Sequence, residues 1–263
     1  MLGEQVELLM TLSRTDQIRA LLKGIETGDA AAVAVVNQDK YIQHNPQTHE
    51  GGEGLAALFK RLSRSSPRVN IVRAFSDGDY VFAHTEYDFA NSNIGFEVFR
   101  FEDGLAVEHW DNIQKRQGPN LSGHTMVDGP IEATDLALTE SNRERVRSFV
   151  EDVFINRDLG KLDHYIDHAS YTQHNPKMAD GLAALRSALE NTSNEGRVIQ
   201  YDLTHRVLAE GSFVLSVSEG SLDAVHSSFY DLFRVEEGKL GEHWDTIEAI
   251  PPRSDWKNDN GKF

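Results

Sequence analysis

The sequence contains no cysteine. Disulfides, thiolate nucleophiles and thiolate metal sites are therefore excluded together. Long apolar runs are also missing: no stretch approaches the eighteen or so residues that a membrane span requires. The N-terminal segment carries acidic residues at Glu4 and Glu7. It lacks the basic start and continuous apolar centre of a secretory signal. The expectation from these absences is a cytoplasmic protein. Positive charge is scarce too, with 26 Lys and Arg against 42 Asp and Glu, for a net charge of −16. Nucleic-acid backbones and anionic membranes attract basic clusters, so neither is an expected partner.

What is present is a globular composition, 39% hydrophobic and 26% charged, over 263 residues. That length fits one large domain or two of ordinary size. An internal repeat decides for two. Tyr41-Ile42-Gln43-His44-Asn45-Pro46 returns as Tyr171-Thr172-Gln173-His174-Asn175-Pro176. Gly54-Leu55-Ala56-Ala57-Leu58 returns as Gly181-Leu182-Ala183-Ala184-Leu185, and Glu108-His109-Trp110-Asp111 as Glu242-His243-Trp244-Asp245. The period of about 130 residues is a whole domain, well beyond the roughly 20–50 residues of a solenoid unit. Residues 118–134 are rich in Gly, Pro and polar side chains and read as a linker. Domains over 1–130 and 131–263 follow.

Each copy predicts the same order of elements. A helix comes first, over Asp16–Ile25 and Arg143–Phe154, with apolar residues at helical spacing. A short helix follows, then the extended Tyr-x-Gln-His-Asn-Pro segment, then a third helix over Gly54–Leu62 and Gly181–Leu189. Strands follow, joined by turns such as Asp77-Gly78-Asp79, Asp103-Gly104 and Glu237-Gly238. Helices followed by a meander predict an α+β domain with helices covering one face of a curved antiparallel sheet.

Alternation along the last strand puts His109 and Asp111 on one face and Glu108 and Trp110 on the other. A three-residue loop at Glu102-Asp103-Gly104 would set Glu97 opposite His109, with Phe99 and Asp111 on the same surface. Asp231, Phe233, His243 and Asp245 would match in the second copy. A two-residue turn would instead set Glu97 opposite Trp110. A carboxylate among aromatic side chains loses solvation and becomes a stronger base, and a neighbouring His can orient it or donate to a developing oxyanion. Such a set suits proton abstraction beside a carbonyl, dehydration or activation of water. Glu-His-Trp-Asp alone is more often the pattern of a strand end with an exposed ion pair, and His before Asn-Pro more often a turn residue. Metal chemistry is the competing reading, with His44, His84, His109 and Asp111 as ligands. The second copy has Val217 where the first has His84.

The ordered motifs resemble the SnoaL-like branch of the nuclear transport factor 2-like superfamily. The resemblance is nearest to the group described as predicted SnoaL-like aldol condensation-catalysing enzymes. It implies two tandem cone-shaped α+β barrels, each a curved antiparallel sheet with three helices around a deep apolar pocket. They would be paired as a pseudo-two-fold internal dimer, alone or as a homodimer of the two-domain chain. It implies a lyase, isomerase or cyclase that needs no cofactor and acts on a small apolar carbonyl compound. A hydrophobic small-molecule binding protein and a metal-dependent enzyme are the alternatives. Asp111 and Asp245 correspond to the general bases, with Glu97 and Asp231 as second pocket carboxylates. His44, His109, His174 and His243 would orient or donate. Tyr41, Asn45, His84, Phe99, Trp110, Tyr171, Asn175, Phe233 and Trp244 would line the pockets.

Overall fold

The structure is a computed structural model that describes residues 7–89, 91–167, 170–190 and 198–263. Its contacts group the chain into two units. The first combines residues 1–115 with 251–263, and the second spans 116–250. Segment 116–130, read from the sequence as the end of the first domain and the linker, thus lies within the second unit.

In the first unit, α1 spans Arg14–Thr27. The Ser13 hydroxyl caps its start by accepting from the Asp16 N–H, and Gly28 ends it in the left-handed region at φ 67°. Its apolar stripe, Ile18, Leu21, Leu22 and Ile25, is buried. A 3₁₀ turn, Ala30–Val35, stands where a second helix was expected. The two-residue strand β1, Ile42–Gln43, and helix α2, Gly51–Leu62, come next. Four long strands complete the unit: β2 Arg68–Asp77, β3 Tyr80–Asp88, β4 Ser92–Glu102 and β5 Leu105–Lys115.

The second unit repeats this plan. Helix α3, Thr139–Phe149, runs on into a π-helical turn, Val150–Ile155. The one-turn α4, Leu162–Tyr165, β6, Thr172–Gln173, and α5, Leu182–Glu190, follow. The strands are β7 Ile199–Glu210, β8 Phe213–Leu222, β9 Val225–Glu236 and β10 Lys239–Ala249.

The two sheets have the same strand order, β1-β5-β4-β3-β2 and β6-β10-β9-β8-β7. The expectation of purely antiparallel sheets needs one correction. The Tyr-x-Gln-His-Asn-Pro strands pair parallel to the last strand of their unit, Gln43 beside His109 and Gln173 beside His243. Each sheet is therefore mixed. The helices pack on one sheet face, where Leu21, Leu55 and Phe59 join Val81, Tyr87 and Phe99 in one core. Among the described residues no helix is long and apolar enough to cross a membrane.

The β4–β5 register differs from both sequence expectations. The loop is a two-residue turn, Asp103 and Gly104, with φ 49° and 82°. Val107 then has no partner, because Phe101 pairs with Ala106 and Arg100 with Glu108. This one-residue bulge advances the register, so Glu97 faces Asp111 and Phe99 faces His109. Gly241 is the corresponding extra residue in β10, and Asp231 faces Asp245. Turn and bulge together preserve the expected side-chain face while moving the partners by two positions. Gly104→Val forces a branched side chain into the left-handed region. It should lower stability by about 1–3 kcal/mol, read as a lower urea midpoint at unchanged slope.

Candidate active site

In the first unit, the space between α1, α2 and the sheet is a cavity of about 240 Å³. Its walls are apolar, with Leu21, Leu55, Phe59 and Ile113 among them; Glu97, His109 and Asp111 contribute charge. All three are buried, and ligand-type atoms of the three lie within 4.8 Å of one another.

Every polar group in this cluster has a defined partner. Tyr87 donates its hydroxyl to Glu97 Oε1 at 2.5 Å, and His109 Nε2 lies 2.6 Å from Glu97 Oε2. His109 Nδ1 lies 2.9 Å from Gln43 Oε1. That same oxygen accepts from the Asn45 backbone N–H, which identifies it as the amide oxygen. His109 Nδ1 therefore carries a proton and donates it, and Nε2 shares a further proton with Glu97. Burial pushes the Glu97 carboxyl up; the His109 contact opposes this, and the neighbouring Asp111 adds to it. Asp111 Oδ2 accepts from Asn45 Nδ2 at 2.6 Å. The Asn45 amide is oriented by its own oxygen, which accepts from the Gln47 N–H in the turn at Pro46. Lys262, from the C-terminal segment of the same unit, donates to the Asp111 backbone carbonyl at 2.8 Å and sits 3.5 Å from Oδ1.

Tyr41 lines the same cavity. Its hydroxyl is buried and has no hydrogen-bond partner among the described residues. Burial raises its pKa well above the ordinary tyrosine value, ahead of the effect of Glu97 and Asp111. It remains a donor at neutral pH.

The second unit repeats the pairs on a smaller scale. His243 Nε2 lies 3.0 Å from Asp231 Oδ1, and Tyr201 donates to the Asp231 carboxylate at 3.1 Å. Asn175 Nδ2 donates to Asp245 Oδ2 at 2.6 Å. The cavity that His243 and Asp245 line holds only about 40 Å³. Phe154, carried on the π-helical turn, lines it and stacks on Tyr201 at 4.7 Å. Asp245 Oδ1 is buried without a hydrogen-bond partner among the described residues. Burial, with Asp231 nearby and His243 opposing, raises the Asp245 carboxyl to about 6.

The structure divides the expected site residues into two groups. Along β1 the side chains alternate, so Tyr41, Gln43 and Asn45 line the first cavity while His44 points to the other sheet face. There His44 Nε2 bonds Glu108 Oε1 at 2.9 Å, and its ring stacks on Trp110 at 4.7 Å. His174 does the same with Glu242 and Trp244 in the second unit. His84 stacks on Phe96 at 4.3 Å, also away from the cavity. The four ligands of the metal reading, His44, His84, His109 and Asp111, are thus not brought together; His109 and Asp111 meet Glu97 instead. Phe99 lines the first cavity beside His109, and Phe233 stacks on His243 at 4.6 Å. Tyr171 is buried without a lining role in the second cavity. Gln43, Tyr87, Tyr201 and Lys262 were missed. For Gln43 the signal was the two-residue alternation within the motif itself; for Lys262, far from any motif, there was none.

A helix-covered sheet enclosing paired carboxylates and a histidine beside an apolar cavity is an arrangement that suits a catalytic or a binding role. Residues 18–109 match the family model described as a SnoaL-like domain. The match covers most of the first repeat, and the second repeat has the same strand order. Among curated proteins none matches this chain significantly. Solved structures similar to it include TsrD from Streptomyces laurentii, 21% identical with a TM-score of 0.35, covering 39% of this chain and 91% of TsrD. An LEH-like epoxide hydrolase of M. tuberculosis is 18% identical with a TM-score of 0.34, covering 42% of this chain and 84% of its own. An NTF2-like protein of unknown function from Cytophaga hutchinsonii is 13% identical, with a TM-score of 0.34 and coverages of 40% and 92%.

The raised Asp245 carboxyl makes stability depend on pH. Its folded value, about 6, exceeds the ordinary aspartate value of 3.8 that an unfolded chain would show. The folded state thus retains a proton that the unfolded state loses, and this favours folding fully below pH 4 and is lost as pH rises through 6. Asp245→Asn removes the ionisation. The variant should gain stability relative to the parent between pH 4 and 7, by up to about 3 kcal/mol. Denaturant midpoints across that range check it, and a difference that stays flat with pH would contradict the assignment.

Proposed function

We propose that the first unit catalyses proton transfer on a small, largely apolar carbonyl compound, without a cofactor, as an isomerase, lyase or cyclase does. The single observation that carries this reading is the buried Glu97–His109–Asp111 cluster at the wall of an apolar cavity. An apolar cavity of roughly 150 Å³ accepts benzene. The first cavity, about 240 Å³, suits a one-ring or short-chain compound.

In this reading Asp111 is the general base. Asn45 orients one oxygen and Lys262 stands 3.5 Å from the other, and the carboxylate takes the proton next to the substrate carbonyl. Tyr41, whose hydroxyl has no hydrogen-bond partner among the described residues, donates to the carbonyl oxygen as negative charge develops there. The Glu97–His109 pair, already holding a shared proton, returns one to a second atom of the substrate. Gln43 fixes the His109 tautomer, so that this proton lies on the Glu97 side. The second unit repeats the two carboxylates, the histidine and the asparagine, but among the described residues it has no lysine beside Asp245, and its cavity is too small for the same substrate.

The test is hydrogen–deuterium exchange at the α-carbon of small cyclic and short-chain ketones, followed by NMR in heavy water. The parent protein should accelerate exchange. Asp111→Asn should slow it about 100- to 10,000-fold while thermal stability changes little. Exchange that persists at the parental rate in Asp111→Asn removes the base from the proposal. Ketones that bind without exchanging would make the pocket a binding site.

A further inference from the structure

Outside both cavities, the second unit gathers a different set of titratable side chains. His124 and Asp128 lie on the segment that precedes α3, and His174 lies on the Tyr-x-Gln-His-Asn-Pro segment after β6. Ligand-type atoms of the three lie within 4.8 Å of one another. His174 Nδ1 is 2.9 Å from Asp128 Oδ1, and His124 Nδ1 is 3.4 Å from Asp128 Oδ2. The Thr125 carbonyl oxygen is 2.8 Å from the same His174 nitrogen.

The far nitrogen of each ring meets a carboxylate. His124 Nε2 lies 3.1 Å from Asp180 Oδ2, and His174 Nε2 lies 2.8 Å from Glu242 Oε1. A metal-bound histidine characteristically donates its other N–H to a carboxylate, which fixes the tautomer and strengthens the ligand. Here both rings are set in that way, with their Nδ1 atoms turned toward one shared carboxylate. Glu242 is itself anchored by Arg234 at 2.8 Å, and it stays an acceptor. Burial pushes the Asp128 carboxyl up, but His174 and the Thr125 hydroxyl outweigh it and hold it below the ordinary carboxylate value. His174 is 1% exposed, whereas His124 and Asp128 are 34% and 43% exposed. The cluster is rigid on one side and open to solvent on the other, so an ion can enter and keep a water ligand.

We propose that His124, Asp128 and His174 form a binding site for one divalent transition-metal ion, Zn²⁺ by preference, with Asp180 and Glu242 orienting the two imidazoles. Two imidazole nitrogens and one carboxylate oxygen are a donor set suited to Zn²⁺, and poor for Mg²⁺ or Ca²⁺, which take oxygen ligands. Thr125 O or water completes four-coordination. The ion replaces the proton on His174 Nδ1 and ties the 120–128 segment to β6. Among the described residues the first unit has no counterpart of this cluster around His44, whose Nδ1 atom instead meets the Gly261 carbonyl, 2.9 Å away. This site takes one ion per chain. The site is separate from the catalytic proposal for the first unit and stands or falls independently of it.

The experiment is titration of chelator-treated, dialysed full-length protein with Zn²⁺ by calorimetry, with Co²⁺ as a spectroscopic probe of tetrahedral coordination. One equivalent should bind, and the thermal midpoint should rise with free Zn²⁺. His124→Ala and Asp128→Ala should abolish that uptake while the circular dichroism spectrum is kept. Asp180→Asn, which leaves all three ligands in place, should weaken binding about 10- to 100-fold; a merely structural Asp180 would leave the affinity unchanged. No uptake by the parent, or uptake unaltered by His124→Ala, overturns the assignment; the latter result would move the ion to another cluster.

Discussion

Two carboxylates that face each other across neighbouring strands, inside an apolar enclosure, cannot both shed water unless something else meets their charge. Glu97 and Asp111 impose that constraint on the first unit, and much of the surrounding structure answers it. Tyr87 and His109 satisfy Glu97, while Asn45 and Lys262 satisfy Asp111. Each partner is positioned in turn: His109 by Gln43, and Asn45 by the turn that its own carbonyl group closes. The result is a chain of directed hydrogen bonds with few alternative arrangements, which is the condition for holding a proton at a chosen atom in a medium of low polarity. The short edge strand contributes little to the sheet by its length. Its contribution is to deliver Gln43 and Asn45 to the acid cluster.

The two units solve the same constraint differently. In the first, a lysine stands beside the last-strand aspartate, and the enclosure stays wide. In the second, no cation is bonded to Asp245 among the described residues, and Phe154 occupies the space beside Tyr201. Burial accordingly raises the Asp245 carboxyl, whereas in the first unit a lysine nitrogen lies 3.5 Å from Asp111 Oδ1. Duplication has preserved the acid, its histidine and its asparagine. It has not preserved the space, which depends on the helix bearing Phe154 and on the bulk of the side chains facing it.

The repeat, the order of elements and the cavity face were all legible in the sequence, because each rests on local signals: a recurring motif, a glycine turn, a period of two. The partner of Glu97 was not legible. It depends on Val107, a residue whose lack of a cross-strand partner leaves no mark in composition or pattern. His44 was read toward the pocket from the family resemblance, whereas the Glu108 and Trp110 contacts it makes on the other face account for its place in the motif. The alternation that sets His44 aside also brings Gln43 forward, so the information was present one position away. Lys262 lay beyond any such argument, since only the folded chain shows that residues 251–263 belong to the first unit.

That last feature bears on the order in which the protein is made. The first unit is the earlier one in the sequence, but the residues that close it over Asn45 and Asp111, from Asn258 to Lys262, are translated after the whole of the second unit. On the ribosome, the amino-terminal half is therefore complete before the lysine that stands beside its aspartate has been synthesised. A cut between the repeats would part that unit from its own segment: the first fragment would lack Lys262, and the lysine would remain on the other piece.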